Sequence, residues 1–189
     1  LFETSARYDG SYYFAPDPRF GFFPSASIGW RISEENFLKG RFNWLSNLKL
    51  RASYGESGAL AADPFQYLSS YNLYSNSAVL NGKPTQGLSE LLEPNKYITW
   101  EKARKMDIGF DLGLLNNQIS FSIDYFSEYR SNMLVKPQVT VPFEYGIGIA
   151  QENKGKMKNR GIEFSLNASN QFTKDFSAGL QVNFTYAKN

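Results

Sequence analysis

Apolar and polar residues alternate one by one along most of this chain, and that period of two constrains the fold more than any other feature. From Phe22 to Ile32 every second residue is apolar (Phe22, Pro24, Ala26, Ile28, Trp30, Ile32), and after Phe23 the residues between are Ser25, Ser27, Gly29 and Arg31. In extended backbone successive side chains point to opposite sides, so this is a strand with one greasy and one polar face. Phe2, Thr4, Ala6 and Tyr8 oppose Glu3, Ser5 and Arg7 in the same way, and Leu48, Leu50, Ala52 and Tyr54 oppose Lys49, Arg51 and Ser53. A fourth strand is predicted from near Tyr97 to Leu114, with Met106, Ile108, Phe110 and Leu112 opposite Lys105, Asp107, Gly109 and Asp111. Leu115-Asn116-Asn117 reads as a tight turn into a fifth, where Ile119, Phe121, Ile123 and Tyr125 oppose Ser120, Ser122 and Asp124. The sixth ends in Ile162 to Ser169, turns at Asn170-Gln171, and leads to a seventh that sets Phe176, Ala178, Leu180, Val182, Phe184 and Tyr186 against Ser177, Gly179, Gln181, Asn183 and Thr185.

The connections have their own regularity. Long ones are expected near 9–20, 57–96 and 131–153, after the first, third and fifth strands; those after the fourth and sixth are tight. After the second strand, Ser33 reads as the N-cap of a short helix whose first turn holds Glu34 and Glu35. Long loops therefore gather at one end. No amphipathic helix of useful length exists to cover the greasy faces, which need either lipid or a second sheet. Short turns at one end and long loops at the other fit a membrane β-barrel, and a soluble β-sandwich is the alternative that alternation leaves open. No apolar run approaches the length of a membrane-spanning helix, which says nothing about a barrel. Seven strands are odd and too few to close a single-chain bacterial barrel, so both edges are expected to continue.

Composition removes several chemistries. The 189 residues include neither Cys nor His, which excludes disulfides, thiolate and imidazole catalysis, and metal sites built on those ligands. A dispersed net charge of +2 gives no reason to expect nucleic acid. No cofactor site is legible: Gly146-Ile147-Gly148 lacks the third glycine and the helix of a dinucleotide loop. Asn167-Ala168-Ser169 and Asn183-Phe184-Thr185 match glycosylation acceptors but lie in or beside strands.

The segment Phe20 to Glu35, with Gly-Phe-Phe-Pro-Ser and Gly-Trp-Arg-Ile-Ser, resembles the SusC/RagA-type TonB-dependent outer-membrane transporters. Similar wording continues through Leu48 to Gly55, Thr99-Trp100-Glu101 and Asn159-Arg160-Gly161-Ile162-Glu163. It departs after Tyr54-Gly55, where the family usually has a Gly-Asn pair and this chain has Gly58-Ala59. The resemblance implies an all-β, antiparallel up-and-down sheet forming part of a large transmembrane barrel in the bacterial outer membrane, over residues 1–189 and without the plug domain or TonB box. It further implies import of a nutrient such as a glycan or peptide, TonB as energy source through the plug, and a SusD-like lipoprotein as lid. A soluble all-β binding or adhesion module is the alternative, and neither reading is an enzyme.

Residue roles follow from the strand faces. Glu101, Asp107 and Asp111 alternate on one face and could be imagined as a glycosidase pair, but no other catalytic element accompanies them. With Arg31, Arg51 and Asp124 they are expected to face a hydrated lumen. Ile28, Leu50, Ile108, Phe110, Phe121, Ile123, Leu180, Val182 and Phe184 are expected to face lipid. The parity of the fourth strand also turns Lys102 and Arg104 outward, at or above the outer rim. Phe65, Tyr67, Tyr71 and Tyr74 in the longest loop are candidates for ligand or partner contact, or for packing that loop on itself. Trp30 and Trp100 are expected in interfacial aromatic belts.

Overall fold

The fold is seen in a computed structural model that describes residues 1–138 and 142–189. In chain order the strands are β1 (Phe2–Gly10), β2 (Phe20–Arg31), β3 (Leu45–Ala59), β4 (Ser70–Leu80), β5 (Lys83–Glu93), β6 (Glu101–Leu114), β7 (Ile119–Val135), β8 (Gly148–Ile149), β9 (Glu152–Gln171) and β10 (Ser177–Lys188). Seven of them form one sheet in the order β1-β2-β3-β6-β7-β9-β10, with every neighbouring pair antiparallel. Up-and-down pairing of this kind needs only local turns, and the remaining strands β4, β5 and β8 make a small separate sheet.

Register aligns the seven alternations. Trp30, Leu50, Phe110, Ile123, Phe164 and Phe184 lie side by side on one face. Gly29, Arg51, Gly109, Asp124, Glu163 and Thr185 form the adjacent rung on the other. A slip of one residue in any pair would mix the two faces, so the pattern itself specifies the pairing. From the rung of Ile108 to that of Leu114, the apolar face of β6, β7, β9 and β10 carries no charged side chain. Cations enter it at the rung of Met106. At about 3.4 Å per residue and a tilt of about 40°, Met106 to Leu114 stands about 20 Å tall.

Among the described residues nothing covers that face: Ile28 is 56% exposed, Leu180 60% and Phe184 59%. The buried core lies elsewhere. Phe14, Phe23, Ala62, Ile98 and Trp100 pack together at the long-loop end, with Leu134 against them.

Several boundaries differ from those expected from alternation. β3 runs on to Ala59, and the connection expected as a loop near 57–96 holds a hairpin. Asn81 and Gly82 take φ of 53° and 72°, the left-handed pair that a two-residue hairpin turn requires, and this Asn-Gly is the sequence signal for it. The loop near 131–153 shrinks as β7 extends to Val135 and β9 begins at Glu152; residues 139–141 of it lie outside the described residues. β6 begins at Glu101 rather than near Tyr97, because the backbone N–H and carbonyl of Thr99 are taken up by the Asn153 side chain instead of a neighbouring strand. Past Asn170, β9 continues to Gln171, and Phe176 belongs to the turn rather than to β10, its carbonyl accepting from Phe172 N–H at 3.0 Å. Ser33 is not an N-cap: the single 3-10 turn Ile32–Glu34 starts from Arg31, without a side-chain cap.

Candidate functional site

The polar face carries an ordered charge cluster. Arg51 on β3 reaches across β6, its Nε 2.8 Å from Asp111 Oδ2 and its Nη2 3.1 Å from Asp111 Oδ1 and 2.8 Å from Asp124 Oδ1 on β7. The path exists because Gly109 stands between them. A Cβ there would come within 2.8 Å of the Arg51 guanidinium and would collide with Asp124. One planar cation thus ties three strands together, holding one carboxylate in a fork geometry and the other by a single bond. Asp107 sits on the next rung toward the loops, and Arg31 lies on the rung of Asp111, beyond Lys49. Register adds Lys105, Glu128 and Glu163 to this face, cations and acids interspersed, which parity along β6, β7 and β9 could have supplied.

Glu101 plays a different part, its Oε1 accepting the N–H of Leu134 at 2.7 Å at the loop end of β7. It closes a clamp with its two predecessors. Trp100 Nε1 donates to Arg19 O at 3.0 Å, and Thr99 Oγ1 donates to Pro18 O at 3.1 Å. Asn153 completes the clamp, accepting Thr99 N–H at 2.9 Å while its Nδ2 donates to Thr99 O at 2.9 Å and Asn132 O at 2.7 Å. Trp100 is therefore buried, 8% exposed, rather than an interfacial belt residue. Its ring meets Phe14 and Phe23 edge-on at 5.4 and 5.7 Å. Pairing of β2 with β3 stops at Ser25 and Gly55, and Phe23 fills the space where the strands part; a Cβ at Gly58 would collide with its ring.

The four loop aromatics divide. Phe65, with φ of 62°, lies 6.4 Å from Tyr67 and packs on Tyr12 and Tyr13 of the first loop at 5.8 and 6.5 Å. Tyr71 and Tyr74 stand apart on β4, about half exposed. Tyr12 and Tyr13 were not among the expected contacts, although the Tyr-Tyr-Phe run beside Pro16 is visible in the sequence. Beside Phe65, a cavity of about 500 Å³ is lined by Gln66, Leu92, Lys136 and Gln151 among others. Tyr145 ties this region to β5, donating its phenol to Glu93 at 2.7 Å, and that hydrogen bond to the carboxylate raises the phenol above its usual range.

One greasy, uncovered face, one charged face, tight turns at one end and clamped long loops at the other define a section of transmembrane β-barrel wall. The family model for the TonB dependent receptor-like β-barrel matches residues 1–189. The TonB-dependent receptor SusC of Bacteroides thetaiotaomicron is 37% identical over 191 residues, covering all of this chain and 19% of that protein. TonB-dependent receptor P3 of Formosa agariphila is 33% identical over 189 residues, covering all of this chain and 18% of that protein. The RagAB peptide importer in its closed-closed state superposes with a TM-score of 0.85 at 27% identity, over 98% of this chain and 20% of that one. The chain belongs to the TonB dependent receptor-like β-barrel family, whose members are outer-membrane receptors and not enzymes. It spans about a fifth of the length of these relatives. The soluble module is thereby set aside.

Proposed function

We propose that this chain is wall, lumen surface and loop cluster of a receptor that imports a nutrient such as a glycan or peptide across the outer membrane. The observation that carries the reading is the register, which gathers the apolar residues of β6, β7, β9 and β10 into one uncharged band on one face. The apolar series, from Ile28 and Leu50 through Ile108, Phe110, Phe121 and Ile123 to Leu180, Val182 and Phe184, meets lipid. Arg31, Arg51, Asp107, Asp111 and Asp124 face the hydrated interior, while Glu101 serves the loop clamp. Phe42, Trp44, Phe172 and Phe176 toward the tight turns, and Tyr54, Tyr125 and Tyr186 toward the loops, then sit at the two interfaces.

The aromatic group of Tyr12, Tyr13, Phe65 and Tyr67 suits apolar faces of sugars or peptide side chains. The β4–β5 hairpin leaves Leu73 73% and Leu88 64% exposed, cross-strand neighbours that suit a lid such as a SusD-like lipoprotein. Energy would come from TonB through a plug domain of the complete receptor. Deleting the complete receptor and following uptake of fluorescent peptides and oligosaccharides by the cells tests this. Loss of one class of cargo, restored by the gene, is expected. Uptake of both classes unchanged would refute import by this receptor.

A further inference from the structure

Toward the long loops the apolar face changes character within one rung. Ile108, Tyr125, Ile162 and Tyr186 lie side by side, and the next rung is Met106, Ser127, Arg160 and Lys188. One step further stand Arg104, Tyr129 and Lys158. Along β9 every second residue from Lys154 to Arg160 is cationic and exposed. Two of these cations are neutralised, Arg104 by Glu56 at 2.9 Å and Lys154 by Glu152. Lys156, Lys158, Arg160 and Lys188 have no carboxylate at ion-pair distance among the described residues. Arg160 and Lys188 are direct cross-strand partners, and like charges so placed repel unless an anion joins them.

We infer that this patch binds the phosphate-bearing headgroup of an outer-leaflet lipid, with the acyl chains lying down the uncharged band below. Same-face neighbours lie about 4.8 Å apart across strands and about 7 Å along one, so one phosphate can bridge Lys158, Arg160 and Lys188. Tyr125 and Tyr186 supply rings at the level where chains give way to headgroup. A soluble phosphate would have no use for the greasy band beneath. The inference rests on the facing proposed above, because it needs Arg160 and Lys188 to point at the membrane.

The test uses the complete receptor, purified in detergent and reconstituted into phosphatidylcholine nanodiscs doped with bisphosphorylated lipid A or its phosphatase-treated form. Bound lipid is counted by native mass spectrometry. The phosphorylated form should be retained, the dephosphorylated form should not, and retention should fall as ionic strength rises. At about 1 kcal/mol per cation near the surface, Lys158→Gln with Arg160→Gln should weaken retention about thirtyfold. Lys49→Gln, on the other face, should leave it unchanged. Retention unaffected by the double substitution, or equal for both lipid forms, would overturn the inference. Facing is read separately: Phe164→Cys should react with a lipid-soluble maleimide and Ser165→Cys with a water-soluble one. Reversal of that pair would refute the facing and the lipid site together, whereas correct labelling with unchanged retention would refute the lipid site alone. The salt dependence needs no variant, so a substitution that fails to fold leaves the inference still open to refutation.

Discussion

Placing arginine on either side of β7 separates a lipid face from a lumen face by free energy. Ile123 sits mid-band, on the rung of Leu50, Phe110 and Phe164, with Tyr125 above it and Phe121 then Ile119 below. It is 38% exposed, so the side chain has a free path off the sheet and an arginine there needs little repacking. The cost is then set by the surroundings, about 2–4 kcal/mol for a guanidinium at the bilayer midplane, or roughly 30- to 1,000-fold in the folding equilibrium. Ser122, one residue away, faces Asp111 and Ser165, and an arginine there meets water and a carboxylate; the expected change is below about 1 kcal/mol. The assay is guanidinium unfolding of the complete receptor refolded into phospholipid vesicles, comparing midpoints at constant slope. Met106→Arg, at the edge of the band, should cost about 0–1 kcal/mol, well below Ile123→Arg. Equal shifts for Ile123→Arg and Ser122→Arg would refute the assignment of faces.

Asn153→Ala removes three hydrogen bonds of the loop clamp and should cost about 2–3 kcal/mol locally, read as faster hydrogen exchange at Thr99 and Trp100. Gly58→Val drives a side chain into the Phe23 ring and should cost about 1–3 kcal/mol, measured by thermal unfolding. Gly109→Ala should push Arg51 off Asp124 and lower stability by about 1 kcal/mol; an unchanged midpoint would show that the ion pair re-forms around the methyl group. The Tyr145 phenol has a raised pKa, so its bond to Glu93 contributes fully below the ordinary phenol value of 10.0 and is lost as pH climbs through the folded value. An ultraviolet titration should show one late-ionising phenol that Glu93→Gln shifts down toward that value.

Period-two alternation is a local property, and by itself it determined the extended backbone and the membership of each face, while leaving barrel and sandwich both open. That is why Leu50, Phe110 and Ile123, or Arg51, Asp111 and Asp124, could be grouped from the sequence before any pairing was known. Alternation also forces register, since a one-residue slip would carry greasy side chains onto the polar face. What it could not reach are contacts that depend on which loops meet. The Arg51 bridge needs the gap at Gly109, which is visible only once β3, β6 and β7 lie side by side. Trp100, outward by parity, is drawn inward because Arg19 and Phe14, far earlier in the chain, give its N–H and ring a better partner than an interface would. Phe65 and Tyr71 are near neighbours in the chain but belong to different bodies, one a packed cluster and the other a hairpin. The cationic row of β9 was present in the sequence as Lys154, Lys156, Lys158 and Arg160, yet only pairing with β10 sets Lys188 against Arg160. Strand faces are written residue by residue along the chain, whereas a site on a barrel wall is assembled across it by hydrogen-bonded neighbours far apart in sequence.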